Sequence, residues 1–172
     1  MKSLRVVSLF ILIAACAPIR VAYDFEKGTN FTQYNTYNYY SDIETGFNEL
    51  DSNRLLNALD NAMQGKGLVL SDKPDFYINI QGSEFIVDNR NTVGVGVGGG
   101  GRNVGGGISI GIPIGSSNVN RQIIIEFIEE GGDGLFWQAV GECNFNLSAS
   151  PENREVRFKQ IVDKMLSKYP PN

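Results

Sequence analysis

Two thiols, a glycine-rich run and an acidic turn are the groups in this 172-residue sequence whose types and spacing could do chemistry. Cys16 directly follows Leu12-Ile13-Ala14-Ala15. A thiol there can form a thioether, and small neighbours let the backbone enter a peptidase cleft. Cys143 falls in a stretch where Leu135, Trp137, Ala139, Cys143 and Phe145 share a face, so it reads as a small buried apolar residue. The chain has no histidine, which removes the commonest general base and the commonest metal ligand. Val93–Gly115 holds 11 glycines in 23 residues, yet it has no Gly-Lys-Ser/Thr and no helix pattern after it, which argues against a phosphate cradle. Glu129, Glu130 and Asp133 lack the alternating ligand spacing of a calcium loop and read as a solvated turn. No catalytic residue, metal or cofactor is expected, and the chain is not expected to be an enzyme.

The segment leading to Cys16 has its own logic. Lys2 and Arg5 precede Val6 to Ala15, an apolar run broken only by Ser8. That run is about half of the ~20 residues needed to span a bilayer, and its order of charge, apolar core and small residues is that of a secretory signal peptide. Ile13-Ala14-Ala15-Cys16 resembles a bacterial lipobox. The resemblance implies cleavage before Cys16, a diacylglycerol on its sulfur, and acylation of the new amine, with palmitate as the expected chain. Each buried CH₂ contributes roughly 0.8 kcal/mol, and two or more chains anchor stably. Residues 1–15 therefore read as a lipoprotein signal peptide and 16–172 as a single domain. Ala17 and Pro18, not an acidic residue, follow the cysteine. The resemblance then implies the outer membrane, with the domain facing the periplasm.

Composition narrows the partners. Without Lys2 and Arg5, 13 basic side chains face 19 acidic ones, a net charge of −6. An acidic chain without a basic cluster argues against nucleic acid and against electrostatic docking on anionic lipid. With Cys16 lipidated, one cysteine remains and no intrachain disulfide can form; packing alone must hold the domain.

Those groups have to be positioned by an α+β domain. Arg20–Phe25 alternates as a first strand, and Phe31–Tyr40, rich in tyrosine, ends as a second. Its tyrosines suggest either a carbohydrate or aromatic binding surface or, preferably, packing on the sheet with hydroxyls at the rim. Leu55, Leu56, Leu59, Ala62 and Met63 mark one face of a helix from Phe47 or Asp51 to Gln64, capped by Asp51 or Ser52 and ended by Gly65 or Gly67. Leu68-Val69-Leu70 is a brief strand. Asp75–Val87 is a long one, with Phe76, Ile78 and Ile80 on one face and Tyr77, Asn79 and Gln81 on the other. Ile123–Ile128 and Leu135–Cys143 form a hairpin across the acidic turn. Ser150-Pro151-Glu152 starts a last helix that buries Phe158, Ile161, Val162, Met165 and Tyr169. The expected fold is an antiparallel or mixed sheet of about six strands with two helices on one face.

The insert over 92–116 is read as a Gly-rich β-hairpin. Val93, Val95 and Val97 alternate with glycine on one side of its centre, and Ile108, Ile110, Ile112 and Ile114 alternate on the other. Either its aliphatic face docks on a partner, a second copy or lipid, or it extends the sheet and packs on its own domain.

The tyrosine-rich strand, the capped helix leaving through Lys66-Gly67-Leu68, Pro74-Asp75-Phe76-Tyr77-Ile78, the glycine insert, the hairpin and Tyr169-Pro170-Pro171 occur in one order. Over residues 20–171 that order resembles the bacterial envelope lipoprotein family known as domain of unknown function 4136. The resemblance implies no catalytic residues. The expected function is a membrane-anchored envelope lipoprotein whose non-catalytic domain binds an envelope protein or associates with itself. A periplasmic carrier of a lipid or sugar is the alternative, and an enclosed apolar cavity would favour it.

Overall fold

The computed structural model describes residues 18–41, 43–85, 118–129 and 134–171. In chain order these form β1 (Arg20–Phe25), a 3-10 turn at Phe31–Gln33, β2 (Thr36–Tyr39), α1 (Glu49–Gly65), β3 (Val69–Leu70), β4 (Phe76–Phe85), β5 (Asn118–Glu129), β6 (Leu135–Asn146) and α2 (Pro151–Met165). The sheet order is β1-β6-β5-β4-β2-β3. Pairing is antiparallel from β1 through β4, and parallel where β2 joins β4 and β3 joins β2. The fold is thus the expected α+β arrangement, with a mixed sheet of six strands and two helices.

Alternation decides which side is buried. Phe76, Ile78 and Ile80 of β4 and Ile123, Ile125 and Phe127 of β5 are fully buried. They meet Leu55, Leu59 and Met63 of α1 and Phe158, Ile161, Val162 and Met165 of α2 in one core. The opposite face carries no helix among the described residues and is adapted to water. Gln122 donates to Glu142 at 3.0 Å, and Asn79 and Gln138 donate to the two oxygens of Glu126 at 2.9 and 2.7 Å.

The two helices start at the same end of the sheet. Asp51 in the first turn of α1 meets Arg154 in the first turn of α2, while Lys66 beyond α1 donates to the carbonyl of Tyr169 beyond α2. The end of α1 is as expected: Gly67 takes a φ of +84°, which favours glycine, and its N–H reaches the Gln64 carbonyl. Its start is not. The cap is Asn48, whose side chain accepts from the N–H of Asp51 at 3.1 Å. Asp51, expected as a cap, sits three residues into the helix and turns its carboxylate inward.

The hairpin differs at one point. A register shift between Phe127 and Ile128 places an extra residue on β6, so Phe136 and Trp137 are both buried and Leu135 is 46% exposed. The expected face through Leu135 is corrected there. Phe136 then stacks on Tyr34 with centroids 4.1 Å apart, and Tyr169 closes against Phe127 and Trp137 at 4.9 and 5.3 Å. Such pairs contribute about 0.5–1.5 kcal/mol each beyond the area they bury.

Candidate functional site

The chemistry the chain concentrates in its interior is ionic. Arg121 lies on β5 with the same parity as Ile123 and Ile125, so its side chain enters the core, where it is fully buried. In the sheet register it stands between Glu84 and Cys143. Its Nη2 is 2.7 Å from Asp51 Oδ2 and 2.5 Å from Glu84 Oε1, and its Nε donates to Glu84 at 2.7 Å. Arg54 and Arg154 bind the other oxygen of Asp51 at 2.9 and 3.1 Å. The guanidinium lies 3.6 Å from the ring centroid of Phe145 and 4.6 Å from that of Phe47. Desolvated cation–π contacts of this kind are worth about 2 kcal/mol or more. Asp51 thus gathers three arginines at the point where α1, α2, β4 and β5 converge, and clamps them together.

A second polar group joins the tyrosines to α1. Tyr37 and Tyr39 both donate to Asp60 Oδ1, at 2.8 and 2.6 Å. Burial, then the hydrogen bond to Asp60, pushes both phenols above their ordinary range. Tyr34 donates to Glu129, and burial followed by that bond pushes its phenol up to about 12. These tyrosines are protonated donors at neutral pH, turned toward the helix side and away from solvent.

Grooves among the described residues are open ones. A groove of about 650 Å³ runs between α1 and α2, lined by Arg54, Asn57, Ala58, Asn61 and Ala62 on one side and Glu155, Val156, Lys159 and Asp163 on the other. Two smaller ones, of about 200 and 180 Å³, lie by Phe25 and Leu135 and by Pro18 and Glu142. None of the three is an enclosed apolar cavity.

The family described as "Domain of unknown function (DUF4136)" matches residues 21–171. The chain belongs to this family. No curated protein matches the sequence significantly. Among solved structures, a PDZ domain protein from Parabacteroides distasonis ATCC 8503 superposes with a TM-score of 0.53 at 18% identity, covering 91% of this chain and 36% of that protein. The chain therefore spans about a third of that protein's length. The PelC dodecamer from Paraburkholderia phytofirmans gives 0.52 at 10% identity, with 87% and 96% covered. A DUF4136 family protein from Bacteroides thetaiotaomicron VPI-5482 gives 0.47 at 14%, with 88% and 96% covered. At these identities the likeness to the first two shows the fold alone.

Within this DUF4136 domain, the Pro74-Asp75-Phe76 motif has a structural reason. Asp75 Oδ2 accepts from the N–H groups of Asn35 and Thr36, both at 2.9 Å, and from the Thr36 hydroxyl at 2.8 Å. One carboxylate thereby fixes where parallel β2 starts beside β4. The backbone bond from Asn35 leads the effects that hold this carboxyl below the usual aspartate range. A depressed carboxyl stabilises the fold above its unfolded pKa of ~3.9, and that contribution is lost as pH falls through the folded value. Asp75→Ala is expected to cost about 1 kcal/mol at pH 7, discounted for the exposure of the site. In urea unfolding, the gap between mutant and parent should close below about pH 4. A gap that persists at low pH would show that the carboxylate is not the cause.

Of the groups singled out in the sequence, Cys143 is buried, and burial pushes its thiol up, away from the reactive thiolate. Cys16 and the insert residues Val93, Val95, Val97, Ile108, Ile110, Ile112 and Ile114 lie outside the described residues. Phe85, the last described residue of β4, pairs with Asn120 of β5, one register position from the Glu84–Arg121 pair. Sequence reasoning missed Arg121, Asp51 and Glu84 as a group.

Proposed function

We propose that this chain is a membrane-anchored lipoprotein of the bacterial cell envelope, held through Cys16 at the outer membrane and facing the periplasm. Its domain is non-catalytic and acts by binding an envelope protein or a further copy of itself. The observation that carries this reading is the join at the N-terminus. Cys16 closes a basic-then-apolar segment, and β1 already begins at Arg20, so a folded domain starts four residues from the thiol. A domain on so short a tether is presented at the bilayer surface rather than released from it. The buried, upshifted thiol of Cys143 and the inward-turned tyrosines support binding over catalysis. The carrier alternative asks for an enclosed apolar cavity, and the open, partly charged groove between α1 and α2 supports it less well. PelC, which shares the fold, is described as a dodecamer, and this supports association of copies as one partner class.

Cys16→Ser is expected to move the protein from the membrane fraction to the soluble fraction and to abolish incorporation of labelled palmitate. A serine variant that stays with the membranes would overturn the anchor. For the partner, photo-crosslinking residues at Val95 and Ile110 are expected to capture the same species in cells. If they capture no more than a probe at exposed Asn57, the insert's aliphatic side chains are not the contact surface.

A further inference from the structure

We propose that β1 is a self-pairing edge, at which two copies of this chain join their sheets by antiparallel β1–β1 pairing about a twofold axis at Ala22. This names the partner as a second copy, and it rests on strand geometry alone, not on the anchor.

β1 is the first strand of the sheet order, and among the described residues only β6 pairs with it. Its hydrogen-bonding sides can be assigned. Glu26 donates its N–H to the Phe136 carbonyl in line with the β1–β6 register. Antiparallel bonding alternates, so the even-numbered residues address β6 and Ile19, Val21, Tyr23 and Phe25 turn their N–H and C=O groups outward. The Phe25 N–H bears this out: it is taken up at 2.9 Å by the side chain of its neighbour Asp24 and not by a described strand. An edge strand with one neighbour among the described residues is a template for a further strand.

Charge and size select the occupant and the register. Arg20, Ala22 and Asp24 are exposed and share the helix-free face. With the axis at Ala22, Arg20 of each copy stands opposite Asp24 of the other, and the two alanines face each other. The outward-bonding residues pair with one another, Val21 with Tyr23 and Ile19 with Phe25. The positions that approach most closely, the non-hydrogen-bonded pairs at about 4.5 Å between Cα atoms, then hold a small residue at the centre and opposite charges on either side. On pairing, the Phe25 N–H exchanges Asp24 for the partner's backbone, which releases the carboxylate for Arg20. The same sequence thus supplies both halves of an isologous contact.

The test uses the full chain in detergent, with the unsubstituted protein setting the background from its own thiols. Ala22→Cys is expected to give a disulfide-linked dimer on mild oxidation, because the axial pair lies within the roughly 4.4–6.8 Å reach of a disulfide. Asp24→Cys alone should not, because its own copy lies about 13 Å away along the strands. Mixing it with Arg20→Cys should restore the cross-link. Arg20→Asp is expected to weaken dimerisation roughly tenfold, and adding Asp24→Arg should recover it. A monomeric parent with no Ala22→Cys cross-link overturns the proposal. Cross-linking of Asp24→Cys alone as strong as that of Ala22→Cys overturns it too, because the axis is then elsewhere. Neither result bears on whether Cys16 is acylated.

Discussion

Arg121→Met is expected to destabilise the domain by about 3 kcal/mol in urea unfolding, more than any substitution of an exposed charge. Removing one partner of a buried ion pair typically costs about 3–5 kcal/mol, because the charge left behind has lost its compensation. Here Asp51 and Arg121 both have fully buried side chains and meet at 2.7 Å. Asp51 keeps Arg54 and Arg154, which pulls the expected cost toward the lower end of that range. Lost contact with Phe145 and Phe47 pushes the other way. Methionine keeps most of the stem volume, so the loss reports charge rather than a cavity. Asp51→Asn alone leaves Arg121 with Glu84, which is partly exposed, and should cost a comparable amount. The double variant is the sharper measurement. If the pair acts as a unit, its cost falls short of the sum of the single costs by more than about 1 kcal/mol. A loss under about 0.5 kcal/mol for Arg121→Met, the range of ordinary surface substitutions, would remove Arg121 from the role of clamp.

The same arginine shows what the sequence makes legible and what it hides. Alternation along Ile123, Ile125 and Phe127 identifies the buried face of β5, and extending that parity two residues back places Arg121 on it. What the pattern cannot supply is the partner. Glu84 comes from the neighbouring strand, and Asp51 belongs to a helix whose start is set by Asn48. Helix and strand existence follow from local periodicity, so α1, α2, β4 and the hairpin appear where expected. Features that depend on register do not. The bulge that buries Phe136 beside Trp137 is a property of two strands together, and alternation along β6 alone puts Leu135 inside. The parallel placement of β2 between β4 and β3 is likewise invisible until Asp75 is seen holding the amides of Asn35 and Thr36. The tyrosines are legible as packing residues, but their hydroxyls, expected at the rim, turn toward α1 at Tyr37 and Tyr39. That both reach the same Asp60 oxygen is not legible, because it depends on where α1 lies across the sheet.

Gly46→Ala is expected to cost about 3 kcal/mol or more, and the reason is a backbone contact that also seats the clamp. Gly46 has a φ of +73°, where an L side chain is strained by roughly 1–2 kcal/mol. A Cβ built there would lie 2.1 Å from the Gly82 carbonyl oxygen on β4, a backbone atom with no rotamer to change. Overpacking typically adds about 1–3 kcal/mol. The contact is mutual, since a Cβ on Gly82 would meet the Thr45 oxygen at 2.2 Å and the Phe47 ring at 2.5 Å. A glycine inside a strand marks such a close approach. It lets residues 45–47 lie against β4 so that Phe47 covers Arg121. Gly67 separates the two causes. Its φ is +84°, yet nothing lies within 4 Å of its built Cβ, so Gly67→Ala should show strain alone, about 1–2 kcal/mol. Gly82→Ala has ordinary backbone angles and should show the collision alone, about 2–3 kcal/mol. Because Gly46 and Gly82 crowd the same space, the double variant should cost less than the two singles added. Urea midpoints for the four variants decide the matter. If Gly46→Ala is no worse than Gly67→Ala, the loop can lift from β4 freely, and Phe47 is not what holds the arginine in place.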